Sequence, residues 1–518
     1  MIGGSQTIRC FETIQPKLRT KMRKLSLSII IGFFLLVGQV VLAQTNNTEM
    51  NGNYAFTFSG MTTGGSGAFT PFSAVGRFTA DGAGNLTAGE LDTNGVGIPE
   101  KLVAQPFNGT YQIGADHRGV MDLNIPGGGK LAFVMLANGN AKFVEIDAAG
   151  GHGTVGSGLM EKSDATTYNT SRIVGDYAFG VAGQDTGNNR TAIAGRMTAN
   201  GAGMFGNGAA DVNRAGTFTT LNALLATYAV TDTSTGRGII NLPPLLGGAL
   251  QNLNLVFYVV NRGKLFAMET DVVTPMTPLL VGSMVQQQVP LGGFSNVSLN
   301  GAMVFYLDGR AASGCNGNAG PSPNIFVGSL TGDGLGTLSM TYDQNCGGGP
   351  NSVAGLSGTY IVSSGGRVEL RPGSSFVVAY LANSNEGYLI APDSTVLAGF
   401  GEPQTAMPLT NTAVRGNYGG SATDPQALGV VIFSGEFSAD GASPTGTITG
   451  TEDIGAPNGA TTGMSVTATY AVSSTPTNGR GTISGGIGGN GVIWAISPSK
   501  FIVLSLNDLN PAVLIFEN

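Results

Sequence analysis

Between residues 74 and 90 apolar and polar positions alternate, reverse through a glycine-rich turn and alternate again. Ala74, Gly76, Phe78 and Ala80 share one face; Val75, Arg77 and Thr79 share the other. A period of two with one apolar face marks a half-buried antiparallel strand. The stretch recurs at 193–208, 326–340 and 433–450, where Ile193/Gly195/Met197, Phe326/Gly328/Leu330 and Phe433/Gly435/Phe437 hold the apolar face. The turns open on Asp81, Gly82 and Gly84, then Asn200 and Gly201, Asp333 and Gly334, and Asp440 and Gly441. Asp-Gly and Asn-Gly tolerate the positive φ that tight hairpin turns need.

Around the first hairpin the pattern predicts eight strands: 54–58, the two hairpin arms, then 109–113, 120–125, 131–136, 142–147 and 156–162. Tyr54, Phe56 and Phe58 fall on one face of the first. The order repeats three times, each unit with a Gly/Ala-Thr-Tyr fourth strand and an arginine in the turn after it: Arg118, Arg237, Arg367 and Arg480. The predicted units are 51–163, 172–288, 296–404 and 411–518. A repeat this long is one small domain, not a solenoid coil. The expected fold is all-β: four tandem repeats, each an eight-stranded antiparallel up-and-down meander barrel, because closure removes exposed edges. A β-sandwich is the rival the pattern leaves open. Gly76, Gly195, Gly328 and Gly435, on the apolar face of each second strand, suit a crowded, bent barrel wall. The meander puts tight turns at one end and long connections, 59–73, 92–106 and 308–324, at the other, where binding loops would sit.

Composition agrees. Glycine is 83 of 518 residues without a three-residue period, which excludes collagen. Charged residues are 11%, well below the usual share, while 42% are hydrophobic, enough to build cores. A net charge of −7 without basic clusters in the mature part argues against nucleic-acid partners. Residues 1–43 read as a signal peptide with an N-terminal extension: Met22-Arg23-Lys24, the apolar run 25–41 and Val41-Leu42-Ala43, with cleavage after Ala43 and Met22 as an alternative start. The remaining chain then holds two cysteines, Cys315 and Cys346, which an oxidising compartment would pair. Both fall at the long-connection end of the third unit.

Candidate chemistry is sparse. The turn acids fall short of a calcium site, which takes six or more oxygens. The four arginines are placed with the turn acids, to cap turn carbonyls or pair with Asp81 and its counterparts. His117 and His152 read as surface residues, with no nucleophile motif beside them. Paired carboxylates are the remaining enzymatic option. Glu90, Asp92, Glu145 and Asp147 are the candidates, with a partial echo in Glu452 and Asp453. The other units show no matching acids, and these six read as solvated strand faces. Trp494, the single tryptophan, reads as core.

The segments Gly-Asn-Tyr-Ala-Phe (52–56), Gly-Arg-Phe-Thr-Ala-Asp-Gly-Ala-Gly-Asn (76–85), Gly-Thr-Tyr (109–111) and Arg-Gly (118–119) resemble a group of uncharacterised, glycine-rich secreted bacterial proteins with tandem β repeats. That resemblance implies export and repetition but no activity. The Gly-x-Tyr opening is also similar, by analogy only, to the Gly-x-Trp of calycin barrels. The chain is therefore expected to be an exported, non-enzymatic protein without cofactor or metal: extracellular, at the cell surface or periplasmic. It would serve as a structural, adhesive or ligand-binding module. Its partner would be a glycan, a small ligand or another surface protein at the long-loop end. An outer-membrane barrel and a secreted hydrolase are the alternatives.

Overall fold

A computed structural model describes residues 45–63, 69–96, 101–147, 154–164, 168–311, 314–315, 321–405, 408–423, 432–456, 459–474 and 478–518. The predicted signal segment and His152 lie outside them. The chain forms four closed eight-stranded barrels, each antiparallel and up-and-down in strand order. The first comprises β1 (Asn51–Thr63), β2 (Phe69–Asp81), β3 (Asn85–Gly95), β4 (Gln105–Ile113), β5 (Arg118–Leu123), β6 (Lys130–Met135), β7 (Ala141–Glu145) and β8 (Thr154–Ser163). Strand β1 closes the barrel by pairing with both β2 and β8. Barrels 2, 3 and 4 repeat this over 174–286, 300–403 and 415–517.

The alternating residues become barrel interiors. Tyr54, Phe56, Phe58 and Phe78 are buried together with Phe107, Phe133 and Phe143. Gly76 is needed where this wall is tightest. A Cβ there would lie 2.6 Å from both the Glu90 carbonyl and the Phe56 ring. The turn acids fold back on their own turns. Asp81 accepts the amides of Ala83 (2.7 Å) and Asn85 (2.9 Å), and Asn200, Asp333 and Asp440 do the same. The Asn85 side chain, with these amides, holds the Asp81 carboxyl down to about 2. Gly82, Gly201, Gly334 and Gly441 all take positive φ, from 69° to 76°.

One end of every barrel is corked. A single 3-10 turn precedes each first strand: Asn47–Glu49, Thr170–Arg172, Asn296–Ser298 and Asn411–Ala413. The tyrosine of each Gly/Ala-Thr-Tyr segment holds it. The hydroxyls of Tyr111, Tyr228, Tyr360 and Tyr470 donate to the carbonyls of Met50, Ile173, Leu299 and Val414 at 2.5–2.7 Å. Side chains of the turn answer: Asn47, Asn296 and Asn411 accept the amides of Ile113, Val362 and Val472.

At the other end the expected long loops are shorter than predicted. Pairing of β1 with β2 continues from Ser59↔Ser73 to Thr63↔Phe69. In barrel 3 the first two strands reach Ala311 and restart at Ser322. These extensions lack apolar alternation, so the sequence pattern ends before the hydrogen-bond ladder does. Cys315 and Cys346 are disulfide-bonded with Cα atoms 5.9 Å apart, tying the first connection of barrel 3 to the end of its third strand.

The barrels of residues 46–518 close into a ring. Ala55 and Val75, on the outer face of barrel 1, pack against Val256, Tyr258, Phe266 and Met268 of barrel 2. Ala178, Ala192 and Ala194 of barrel 2 meet Val378, Tyr380, Tyr388 and Ile390 of barrel 3. Val304, Ile325 and Val327 of barrel 3 meet Val492, Trp494, Ile502 and Leu504 of barrel 4. Barrel 4 returns to barrel 1, where Ala132, Val144, Ile146 and Val155 join its apolar cluster. In each case apolar or small outward residues of the first two strands seat the outer face of strands six and seven of the next barrel.

Candidate ligand cavity and the clamps that frame it

The repeated arginines build the ring rather than the turns. Arg237 sends Nε and Nη2 to Asp92 across the barrel 1–2 junction, at 2.8 and 2.7 Å. Arg367 grips Asp211 of barrel 2 in the same way at 2.6 and 3.0 Å, and Arg480 grips Asp343 of barrel 3 at 2.8 and 2.6 Å. A third donor from the same barrel as the arginine completes each clamp: the Tyr258 hydroxyl (2.8 Å), the Tyr380 hydroxyl (2.7 Å) and the Trp494 indole N–H (2.9 Å). All three aspartates are fully buried. Arg118 reaches Asp453 of barrel 4 through Nη1 alone, at 2.9 Å, and also pairs with Asp116 of its own turn at 2.8 Å.

Three readings from sequence are corrected here. The arginines pair with third-strand aspartates of the neighbouring barrel, not with Asp81 or its counterparts. The units do keep matching acids, since Asp92, Asp211, Asp343 and Asp453 are equivalent. Nor are Glu90, Asp92, Glu452 and Asp453 solvated strand faces. Glu90 accepts from Thr235 (2.9 Å) and Tyr258 (3.3 Å) at the junction, and Glu452 and Asp453 are buried. Trp494 is buried, but on the outer wall of barrel 4 against barrel 3. The sequence signal for these clamps is an Asp-x-Asn step closing the third strand: Asp92-Thr93-Asn94, Asp211-Val212-Asn213 and Asp343-Gln344-Asn345. Each asparagine amide bridges two carbonyls of the next barrel, as Asn213 does to Ala391 and Asp393 at 2.7 Å each.

Nearer the centre, ions link the barrels a second time. Lys264 of barrel 2 pairs with Glu161 of barrel 1 at 2.5 Å. Lys500 of barrel 4 pairs with Glu402 of barrel 3 at 2.7 Å and with Glu517 at 3.6 Å. Lys142 of barrel 1 lies 4.0 Å from Glu517 of barrel 4 and is pushed down to about 8 by burial. His117 lies half exposed on the surface, bonded to Glu49 at 2.9 Å, which holds its imidazole pKa above the usual value.

Barrel 1 alone of the first two barrels keeps an open interior. A cavity of about 500 Å³ lies within it, walled by Phe58, Phe72, Leu91, Leu123 and Phe143 and edged by Glu145 and Asp147. Phe58 stacks on Phe143 with centroids 6.0 Å apart and meets Phe72 edge-on at 6.0 Å. Barrel 2, from the same repeat, leaves about 30 Å³. The difference lies in the connection from the fifth to the sixth strand. In barrel 2 residues 243–252 fold inward, and Leu245 and Leu250 join the core. In barrel 1 the shorter Pro126–Gly129 stretch only edges the cavity.

The acids follow the same division. Glu269 and Asp271 of barrel 2 are equivalent to Glu145 and Asp147. There the Asn254 side chain holds Asp271 at 2.9 Å, and Glu269 is fully buried, pushed up to about 9 by desolvation. In barrel 1 Lys130 stands in place of Asn254 and gives Asp147 only a backbone N–H, at 3.2 Å. Burial and the hydrogen-bonded Asp147 raise the Glu145 carboxyl well above the usual range. Among the described residues, no group of three or more His, Cys, Asp or Glu side chains could hold a metal ion, and no helix is long and apolar enough to cross a membrane.

No family model matches the chain, and no curated protein matches it. Likeness to solved structures is weak. One is a protein of unknown function from the DUF3598 family of Nostoc punctiforme PCC 73102, 10% identical over 57% of this chain and 94% of that one, with a TM-score of 0.14. Another is a transferrin-binding protein B mutant from Haemophilus parasuis Hp5, 11% identical over 75% of this chain and 85% of that one, with a TM-score of 0.16. At such scores neither carries an argument about ligand or mechanism.

Proposed function

We propose that the protein is an exported, non-enzymatic ligand-binding module in which barrel 1 carries the site and the other barrels form its rigid frame. The observation that carries this reading is the cavity of about 500 Å³ in barrel 1, set against a filled homologous interior in barrel 2. Its size and aromatic walls with few polar groups suit a small molecule. The disulfide favours an oxidising compartment and so export.

The placement of three of the candidate acids weighs against the hydrolase alternative. Glycosidase carboxyls stand about 5 Å or more apart to flank the bond they cleave. Glu145 and Asp147 are hydrogen-bonded to each other, and Asp92 is fixed in a clamp. Against an outer-membrane barrel, the outward residues Thr110, Gln112 and Asp122 of β4 and β5 are polar and exposed, where lipid would require an apolar band.

The test is titration of the mature protein with the neutral apolar dye Nile red. Saturable one-to-one binding is expected, and Ala74→Trp, which fills the cavity from β2, should abolish it in a protein that still folds. No saturable binding, or binding unaffected by Ala74→Trp, would sink the proposal.

A further inference from the structure

The geometry points to a hydrophobic amine as the ligand of barrel 1: an apolar body held between Phe58, Phe72 and Phe143, with its ammonium group at Glu145 and Asp147. This rests on the ligand-binding reading above and names the class of ligand within it.

The cavity supplies the shape and the acid pair supplies the sign. The walls are aromatic and aliphatic, and the two carboxyls lie together at the edge. Among the described residues no lysine or arginine forms an ion pair with either acid. Lys130, the nearest cation in sequence, offers its backbone N–H and turns its side chain to solvent. The two acids share a hydrogen bond, and burial together with that bond holds the Glu145 carboxyl above the usual range. An ammonium group seated there would find carboxylate acceptors at the edge of an apolar cavity, where charge-assisted hydrogen bonds add to burial of the apolar body. Aromatic faces nearby add to the attraction for a cation. A carboxylate-headed ligand would meet like charge, and a plain hydrocarbon would desolvate the acids without replacing their partners.

Barrel 2 shows the same acids used otherwise. The Asn254 side chain donates to Asp271, the Asp271 backbone N–H donates to Glu269 at 2.8 Å, and Leu245 and Leu250 are part of the packed core of that barrel. The acid pair is thus shared by barrels 1 and 2, with Ala391 and Ser505 in place of the glutamate in barrels 3 and 4. Only where the cavity stays open above it does it become a receptor for charge.

Isothermal titration of the full mature chain with octylamine, octanol and octanoate at one pH separates the possibilities. These ligands share an apolar body and differ in the head group. The expected order is octylamine tighter than octanol by roughly tenfold or more, with octanoate weakest. In Glu145→Gln combined with Asp147→Asn, octylamine should fall to the level of octanol while octanol is unchanged. Asp147→Asn alone should show part of the loss and guards against misfolding of the double variant. Equal binding of octylamine and octanol, or tightest binding of octanoate, overturns the amine assignment while leaving the cavity reading standing. Binding of none of the three overturns both.

Discussion

Asp343→Ala tests whether the clamps hold the ring. The carboxylate accepts Arg480 Nε at 2.8 Å, Arg480 Nη2 at 2.6 Å, the Trp494 indole N–H at 2.9 Å and the Ser352 hydroxyl at 2.6 Å. Its removal strands a fully buried indole N–H and takes both charge-assisted bonds from the guanidinium. An unsatisfied buried donor costs about 1–3 kcal/mol, and breaking a buried pair from one side about 3–5 kcal/mol. The two overlap, so a loss of about 3–5 kcal/mol is expected. Asp453→Ala at the barrel 4–1 junction is the internal control. Arg118 there keeps Asp116 at 2.8 Å and loses a single donor contact, Val134 stands where Trp494 would, and the Gly463 N–H that also donates to Asp453 at 2.8 Å is at an exposed position open to water. Its expected cost is about 1–2 kcal/mol. Both variants are compared by urea denaturation, with hydrogen exchange at Trp494 and Arg480 reporting the local opening. A double-mutant cycle with Trp494→Phe should give a coupling of about 1 kcal/mol or more. Equal losses for the two aspartates, or no coupling between Asp343 and Trp494, would refute the reasoning.

Asn213→Ala removes two 2.7 Å bonds to barrel 3 carbonyls and should cost about 2 kcal/mol, with faster amide exchange confined to the barrel 2–3 junction. Lys142 titrates at about 8 in the folded protein against 10.5 ordinarily, so the unfolded chain binds more protons between those values. Stability should therefore rise with pH from about 8 to 10.5 in the native protein. Lys142→Met should flatten that rise and add on the order of 3 kcal/mol below pH 8, read from thermal melts across pH. Gly455→Ala would place a Cβ 2.6 Å from the Glu145 carbonyl, so β7 must shift. It should weaken Nile red binding in barrel 1 severalfold although residue 455 belongs to barrel 4, and unchanged affinity would count against the link.

The barrels were legible because their interiors obey a local rule. Tyr54, Phe56 and Phe58 alternate with smaller residues, and Asp81-Gly82 can only be a turn, so strand order and closure follow. The ring was not legible, because an outward face reads the same whether it meets water or another barrel. Ala55 and Ala178 look like spacers until Tyr258 and Tyr380 are seen to need the room. Asp92 looked solvated because its arginine lies in the following unit, beyond any local pattern. The recurring Asp-x-Asn was the available sign. Its last copy, Asp453-Ile454-Gly455, had lost the asparagine and blurred the comparison. The cavity was hidden for a related reason: it depends on what residues 243–252 of barrel 2 put inside their barrel and Pro126–Gly129 of barrel 1 do not.

The odd junction borders the barrel with the open cavity. Barrels 1 to 2, 2 to 3 and 3 to 4 are joined by chain as well as by clamps, and a short linker keeps such neighbours at high effective concentration. The 4–1 junction has no linker, and it also lacks the bidentate arginine, the aromatic donor and the asparagine bridge. Close packing takes their place: Ser434 donates to the Lys142 carbonyl at 3.0 Å, Lys142 to the Ile515 carbonyl at 3.2 Å, and Gly455 admits the Glu145 backbone. All three contacts fall on β7. That strand turns Lys142 and Val144 outward to barrel 4 and Glu145 inward to the cavity, so one five-residue segment is wall to both. In barrel 2 the equivalent segment is pinned by the Asn94 amide of barrel 1, which bonds the Glu269 and Asp271 carbonyls at 2.7 and 2.9 Å, and its interior is full. A strand held by packing instead of clamps can adjust to an occupant by small shifts that a bidentate ion pair would resist. Gly455, where the other three barrels carry asparagine, and the open interior of barrel 1 thus meet on one strand, where the ring closes on itself.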